Sequence, residues 1–459
     1  MKHRLAIALT AGLILGSVRH TCGQGADAIL DLLVRKGIIT QREANDVREQ
    51  LDMQMAQAVE VYGKGKFATW LDAVKFSGDL RLRIDDIMPE DSLRQPDRLR
   101  FRYRLRLGLE YQFPDWLTVN LRLASGDGDP VSTNQSFTDT FRKKPITIDL
   151  VSATIQPPGW DWIKLIGGKM ENPIWQPRFN SPMIYDFDVT PEGIAEVLQF
   201  TFGPKGQYRI FGNFGQFVLD EISANSRDPA LFDLQGGIEL GFGGDLPRRP
   251  RLKITAAGGY MFTHNVNNTG YTPFIDSPNR GNATGTGIST NTPLADFNVV
   301  YGRLDVAWLV SERPFFGTTP LLTLSGEVDK NIKNAYKTLA GSSQTIDPDQ
   351  TFGWTVQLAF GEARRKGEWQ IAYQYKYLPA DVTFDSLTDS DWGAGGTDRQ
   401  GHAIRGMYNI RDWWQIGITA FLTSKISDRP NTGHNTIGAI GPNHGQEMLR
   451  ILVDTSFRF

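Results

Sequence analysis

The stretch Arg98-Leu99-Arg100-Phe101-Arg102-Tyr103-Arg104-Leu105-Arg106-Leu107-Gly108-Leu109-Glu110-Tyr111 decides the fold of this chain. Every odd position is aliphatic or aromatic, and every even position is arginine, glycine or glutamate. A β-strand sends successive side chains to opposite faces, so the run predicts a strand with one apolar face and one charged face. It is longer than the roughly 5–6 residues of an ordinary soluble strand. A tilted strand needs about 9–11 residues to cross a bilayer. One charge facing lipid at mid-depth costs about 2–4 kcal/mol, so a ladder of five arginines has to face water.

The same period extends in both directions. Before it, Phe76, Gly78, Leu80, Leu82 and Ile84 alternate with Ser77, Asp79, Arg81, Arg83 and Asp85. After it come segments 117–123, 146–155, 163–169, 194–202, 208–218, 232–242, 252–262, 300–310, 322–328, 352–360, 369–377, 402–410, 414–422 and 449–459. That makes about 16 strands. Short connections such as Phe113-Pro114-Asp115, Pro157-Pro158-Gly159, Gly203-Pro204-Lys205-Gly206 and Arg411-Asp412 alternate with long ones such as 125–145, 170–191, 263–296 and 423–446. An even strand count with alternating short and long links is the pattern of a transmembrane antiparallel β-barrel, all-β in class. Aromatics gather beside the short links: Tyr111, Phe113 and Trp116; Trp160 and Trp162; Phe200 and Phe202; Phe315 and Phe316; Phe360 and Trp369; Trp413 and Trp414. Their amphipathic rings suit the headgroup level of a membrane.

Composition agrees with this reading. The chain has 459 residues, 47 Gly, 24 Pro, 11% aromatics and one Cys, with a net charge of −2. The apolar and aromatic content excludes a disordered chain, and one cysteine excludes a disulfide scaffold. A mildly acidic chain with no basic half does not read as a nucleic-acid protein. Mean hydropathy is negative; that argues against a helical membrane protein and is what a polar lumen with long polar loops gives in a barrel.

The N-terminal part has a different period. Lys2, His3 and Arg4 precede an apolar run from Leu5 to Val18, followed by the small residues around Gly25. Residues 1–25 read as a secretory signal peptide, with a buried soluble helix as the alternative. Cys22 follows Arg19-His20-Thr21, a poor lipoprotein signal. Residues 26–70 read as a short helical periplasmic segment. Gly37 separates two helices, Thr40 and Glu43 form a capping box, and Ala44, Val47, Leu51, Met55 and Ala58 line one stripe. The barrel takes residues 71–459.

The chain ends Leu449-Arg450-Ile451-Leu452-Val453-Asp454-Thr455-Ser456-Phe457-Arg458-Phe459, an alternating strand closing on phenylalanine. It resembles the C-terminal signature that outer-membrane barrels present to the barrel assembly machinery. With its helical prelude the chain resembles the bacterial outer-membrane putative porin family, and the Gly168-Lys169-Met170-Glu171-Asn172-Pro173 stretch resembles the place where porins turn into an inward-folded loop. The resemblance implies a Gram-negative outer-membrane location, contact with the lipid bilayer and lipopolysaccharide, and a homotrimer as one assembly. It also implies that the third long loop faces a basic wall across a constriction.

The period assigns Arg81, Arg83, Arg98, Arg100, Arg102, Arg104, Arg106 and Arg122 to the lumen on three neighbouring strands. By the resemblance, Glu171, Asp186 and Asp188 of the third loop are their counter-charges. Pro173, Pro177 and Pro182 stiffen that loop. Asp79, Glu110, Asp149, Glu239, Asp305 and Glu327 also face inward and dilute the field. Passive diffusion of small hydrophilic solutes and ions is therefore expected ahead of a dedicated anion or sugar channel or a structural, adhesive role. Asp127 and Asp129 read as a solvated turn more readily than as calcium ligands, for the EF-hand pattern is absent. His264, His402, His434 and His444 have no metal-ligand spacing, and no nucleophile-elbow, Walker or dinucleotide motif occurs, so neither an enzyme nor a cofactor is expected.

Overall fold

The structure is a computed structural model. It describes Val34, Thr40 and Asn45 and, from residue 74 onward, all residues except 91–96, 114–115, 225, 248, 268–270, 272–280, 283–292, 294–295, 334, 338–342, 346, 394 and 428–446. Val34 and Asn45 are helical and Thr40 between them is not. The expected signal peptide and the rest of the expected helical segment lie outside the described residues.

Sixteen antiparallel strands form the barrel: β1 Val74–Pro89, β2 Arg98–Gln112, β3 Leu117–Ser125, β4 Ile146–Ile155, β5 Ile163–Lys169, β6 Glu192–Phe202, β7 Tyr208–Val218, β8 Ala230–Asp245, β9 Arg249–His264, β10 Asn298–Leu309, β11 Leu321–Asn331, β12 Phe352–Gly361, β13 Trp369–Leu378, β14 Arg399–Arg411, β15 Trp414–Lys425 and β16 Glu447–Arg458. Each strand pairs with the next, and β16 returns to β1, running from Asp79 opposite Arg458 to Pro89 opposite Met448. The circle leaves no open edge, which is what a sheet needs where no water can satisfy its backbone. All sixteen expected segments fall on these strands.

Side chains alternate as the period requires. On β12, Phe352, Trp354, Val356 and Leu358 are exposed on the outer surface, while Gly353, Thr355, Gln357 and Ala359 are buried inside. The outer aromatics pack around the short-turn end. Trp160 stacks on Trp162 and Trp162 on Phe200, with centroids 5.7 and 5.5 Å apart; Trp413 and Trp414 stack with Phe457. Phe459 seals the junction. Its N–H donates to the Gly78 carbonyl at 3.0 Å, and Gly78 N–H donates to the Phe459 carbonyl at 2.8 Å. The Phe459 ring occupies the space that a Cβ at residue 78 would need.

The lumen is filled unevenly. At the loop end a core of Met170, Ile174, Ile184, Tyr185 and Val189 from the third long connection (170–191) meets Phe217, Leu231, Met261, Val299, Tyr301 and Phe384. This core backs onto the wall from β7 to β10. On β2 the arginine face is only half-buried.

Placing a charge on the outer face is expected to be far costlier than placing one on the inner face. Val356→Arg, in the middle of β12, is expected to destabilise folding by about 2–4 kcal/mol. The readout is urea-dependent folding into lipid vesicles followed by tryptophan fluorescence.

Candidate functional site

The third long connection starts and ends on a paired glycine step. Gly168 on β5 lies opposite Gly193 on β6, with φ of 112° and 152°. Both values favour glycine, and they turn the chain inward at the root of the loop. The loop then crosses to the far wall, where three glutamines hold its backbone. Gln235 on β8 accepts from Trp175 N–H and donates to Trp175 C=O, both at 2.8 Å. Gln357 on β12 accepts from Asn180 N–H at 2.6 Å and donates to Arg178 C=O at 3.0 Å. Gln374 on β13 accepts from Ser181 N–H at 2.8 Å and donates to Ser181 C=O at 2.7 Å. A primary amide carries a donor and an acceptor side by side, so each glutamine pairs with a loop as a neighbouring strand would. Lys376, also on β13, donates to Ser181 Oγ at 2.5 Å and to Pro182 C=O at 3.1 Å, and lies 4.4 Å from the Trp392 ring.

The arginine wall faces this strap. Asp79 accepts from Arg104 at 2.8 Å and from Arg106 at 2.7 Å. Asp85 contacts Arg100 at 2.5 Å, Arg102 at 3.6 Å and Arg450 at 2.8 Å. Arg122 reaches Asp149 at 2.5 Å and Glu171 at 3.0 Å. Asp188 lies 3.4 Å from Arg104 and 3.6 Å from Arg106. Arg81 donates to Asn134 Oδ1 at 2.7 Å, and Arg98 stands at the loop-end rim opposite Ile87. The expected inward acids are likewise partnered: Glu110 with Lys75, Glu239 with Arg209 and Lys253, Glu327 with Arg303, and Asp305 with Ser325.

Two of the three expected loop carboxylates therefore meet arginines, and Asp186 does not. Its oxygens accept from Asp188 N–H at 2.8 Å and Ser390 N–H at 2.9 Å, so it braces the third loop against the seventh (379–398). The counter-charge missed in the sequence is Asp391 of that seventh loop. It sits 2.6 Å from Arg83 and 3.1 Å from Arg450. Arg450 also donates to the Ser390 and Gly393 carbonyls at 2.9 and 3.0 Å. Asp454 on β16 holds Arg83 from the other side at 2.7 Å. Arg450 and Asp454 were legible as lumen positions of the last strand; only the closure of β16 on β1 places them in the arginine wall.

The loop carboxyls split into two kinds. Burial pushes Asp391 up, but the charges of Arg83 and Arg450 outweigh it and hold the carboxyl far below the ordinary range. Burial is likewise outweighed at Asp188 by Arg104, Arg81 and Arg106. Asp186 is raised well above the ordinary range by burial and by the neighbouring charges of Asp389 and Asp188. Burial raises Asp389 too, against the pull of Lys376. Among the described residues no cluster of His, Cys, Asp or Glu is placed to hold a metal ion. Asp129 Oδ1 accepts from Val131 N–H at 3.1 Å, a local turn contact.

The fold and its charged interior are those of a bacterial outer-membrane β-barrel of the porin kind. The chain matches the family described as "Putative porin" over residues 86–284 and 310–439, and it belongs to that family. No curated protein sequence matches it. Among solved structures it is similar to Pseudomonas putida OprB at high pH (10% identity, TM-score 0.49, 86% of this chain and 96% of that one). It is also similar to Salmonella typhi OmpF in complex with daunomycin (10%, 0.44, 84% and 97%). A third is DcaP, an outer-membrane channel of Acinetobacter baumannii (12%, 0.43, 84% and 97%).

A carboxyl raised in the folded state binds its proton more readily there than in the unfolded chain, so Asp186 makes the protein more stable as pH falls towards the unfolded value near 4. Thermal unfolding in detergent is expected to show a midpoint that rises from pH 7 to pH 5, with a smaller rise in Asp186→Asn. Asp391 is expected to add no slope in that window, because its folded value lies below it.

Proposed function

We propose that this barrel is a water-filled outer-membrane channel for the passive diffusion of small hydrophilic solutes and ions, and that Arg81, Arg83, Arg98, Arg100, Arg102, Arg104, Arg106 and Arg122 form the charged side of its passage. The observation that carries this is the asymmetry of the lumen. The wall from β8 to β13 is packed under the strap, whereas on β2 and β3 the side chains of Arg100, Arg102, Arg104, Arg106 and Arg122 keep 12–21% of their surface open to solvent, with Asp188 beside Arg104 and Arg106; Arg83 on β1 is buried against Asp391. A wall of that kind admits water and small ions and sorts them by charge. The inward acids cancel much of the basic charge, which favours diffusion over a wide range of solutes. A channel needs no catalytic group, and an enzymatic role is not proposed. Lipid and lipopolysaccharide would cover the exposed apolar band, the assembly machinery would read the strand ending at Phe459, and three barrels would pack side by side.

Planar-bilayer recording on the purified protein tests the reading. Stepwise conductance is expected. Replacing Arg102 and Arg104 together by serine is expected to lower the anion/cation permeability ratio severalfold, seen as a shift in reversal potential under a KCl gradient. An unshifted reversal potential contradicts the role given to this wall.

A further inference from the structure

A cavity of about 480 Å³ opens in the short-turn half of the lumen, where β14, β15, β16, β1, β2 and β3 meet. Six arginines line it, Arg81, Arg104, Arg106, Arg122, Arg405 and Arg458, with two carboxylates, Asp79 and Asp454. Both carboxylates are already committed. Asp79 is shared by Arg104 and Arg106 at 2.8 and 2.7 Å. Asp454 gives both oxygens to Arg83, which is not part of the lining, at 2.7 and 2.9 Å. Arg122 is held by Asp149 and Glu171.

Arg81, Arg405 and Arg458 are left, and of these Arg458 is exposed while the other two are partly buried. Among the described residues the Arg81 side chain has one hydrogen bond, to Asn134 Oδ1, and its Nε is buried with no hydrogen-bond partner; Asp188 and Asp454 act on it through space without touching it. The Arg405 side chain makes no hydrogen bond or ion pair among the described residues, though it is half-buried. Guanidinium groups held away from bulk water without an anion in contact are costly, and their planar forks match carboxylate and phosphate oxygens. Arg81 and Arg405 stand three strands apart on one cavity wall, with Gly417 and Asp454 on the strands between them. One inorganic ion would reach only one of them and would leave most of the cavity to water. An organic anion with charged groups at both ends of a short carbon body would meet both.

We propose that this cavity is a binding site for small organic anions carrying two or three carboxylate or phosphate groups, and that such anions cross by saturable binding at Arg81 and Arg405. The transport half rests on the channel reading; the binding half does not. Isothermal titration of the detergent-solubilised full chain with citrate, acetate and inorganic phosphate at equal ionic strength tests binding. Citrate is expected to bind at least tenfold more tightly than either of the others. Arg81→Gln and Arg405→Gln are each expected to weaken citrate binding at least tenfold; neither breaks an ion pair, and retained heat-resistant mobility on gels confirms that each folds. In bilayers, citrate is expected to reduce the KCl current saturably at concentrations where acetate has no effect. Phosphate binding as tightly as citrate overturns the multivalent site. So does citrate affinity unchanged in both variants. Absent conductance with intact citrate binding overturns the channel reading and leaves the site standing.

Discussion

The structure depends on one constraint: within hydrocarbon, a backbone N–H or C=O has no water to turn to. Sixteen strands meet it by closing β16 onto β1 along residues Asp79–Pro89 and Met448–Arg458. Closure has two consequences. It turns the period of two into an inside and an outside, so that Leu99, Phe101 and Leu107 face outward and the arginines between them face the lumen. It also makes the last strand a neighbour of the first, which brings Arg450 and Asp454 beside Asp85 and Arg83.

Inside that ring two opposite problems are solved in two ways. Loop backbone crossing the lumen has lost its water, and wall glutamines 235, 357 and 374 supply a donor and an acceptor each. Arginines crowded on one wall repel, since same-face neighbours on a strand are about 6.6 Å apart. Carboxylates from three sources separate them: the wall itself at Asp79 and Asp85, the third loop at Asp188, and the seventh loop at Asp391. The loops are therefore tied to the wall by the same contacts that make the wall tolerable. Arg81 and Arg405 are partly buried arginines that no carboxylate touches among the described residues.

The barrel was legible in the sequence because its period survives along every strand; even the thin segment 163–169 is a strand. The girdle was legible for the same reason, with Trp160, Trp162 and Phe200 flanking successive turns. The arginine faces of β1, β2 and β3 followed from alternation alone. Partners in loops did not. Asp186 and Asp188 are two residues apart in one loop, yet one is capped by backbone amides and the other meets Arg104, and no period distinguishes them. Asp391 lies in a loop with no repeating pattern, and its pairing with Arg83 spans 308 positions. Loop carboxylates acquire partners from where the loop lands, and the landing is fixed by wall glutamines and by Lys376, whose side-chain chemistry carries no signature in sequence.

The central claim is that the arginine ladder of β2 faces an aqueous lumen and its intervening residues face lipid. The chain contains a single cysteine, Cys22, so a Cys22→Ser background allows a cysteine scan of positions 99 to 110 with a water-soluble, membrane-impermeant thiol reagent on the protein folded in vesicles. The account predicts strong labelling at even positions such as 102, 104 and 106, and protection at odd positions such as 101, 105 and 107. Uniform labelling, or the reverse alternation, would contradict it.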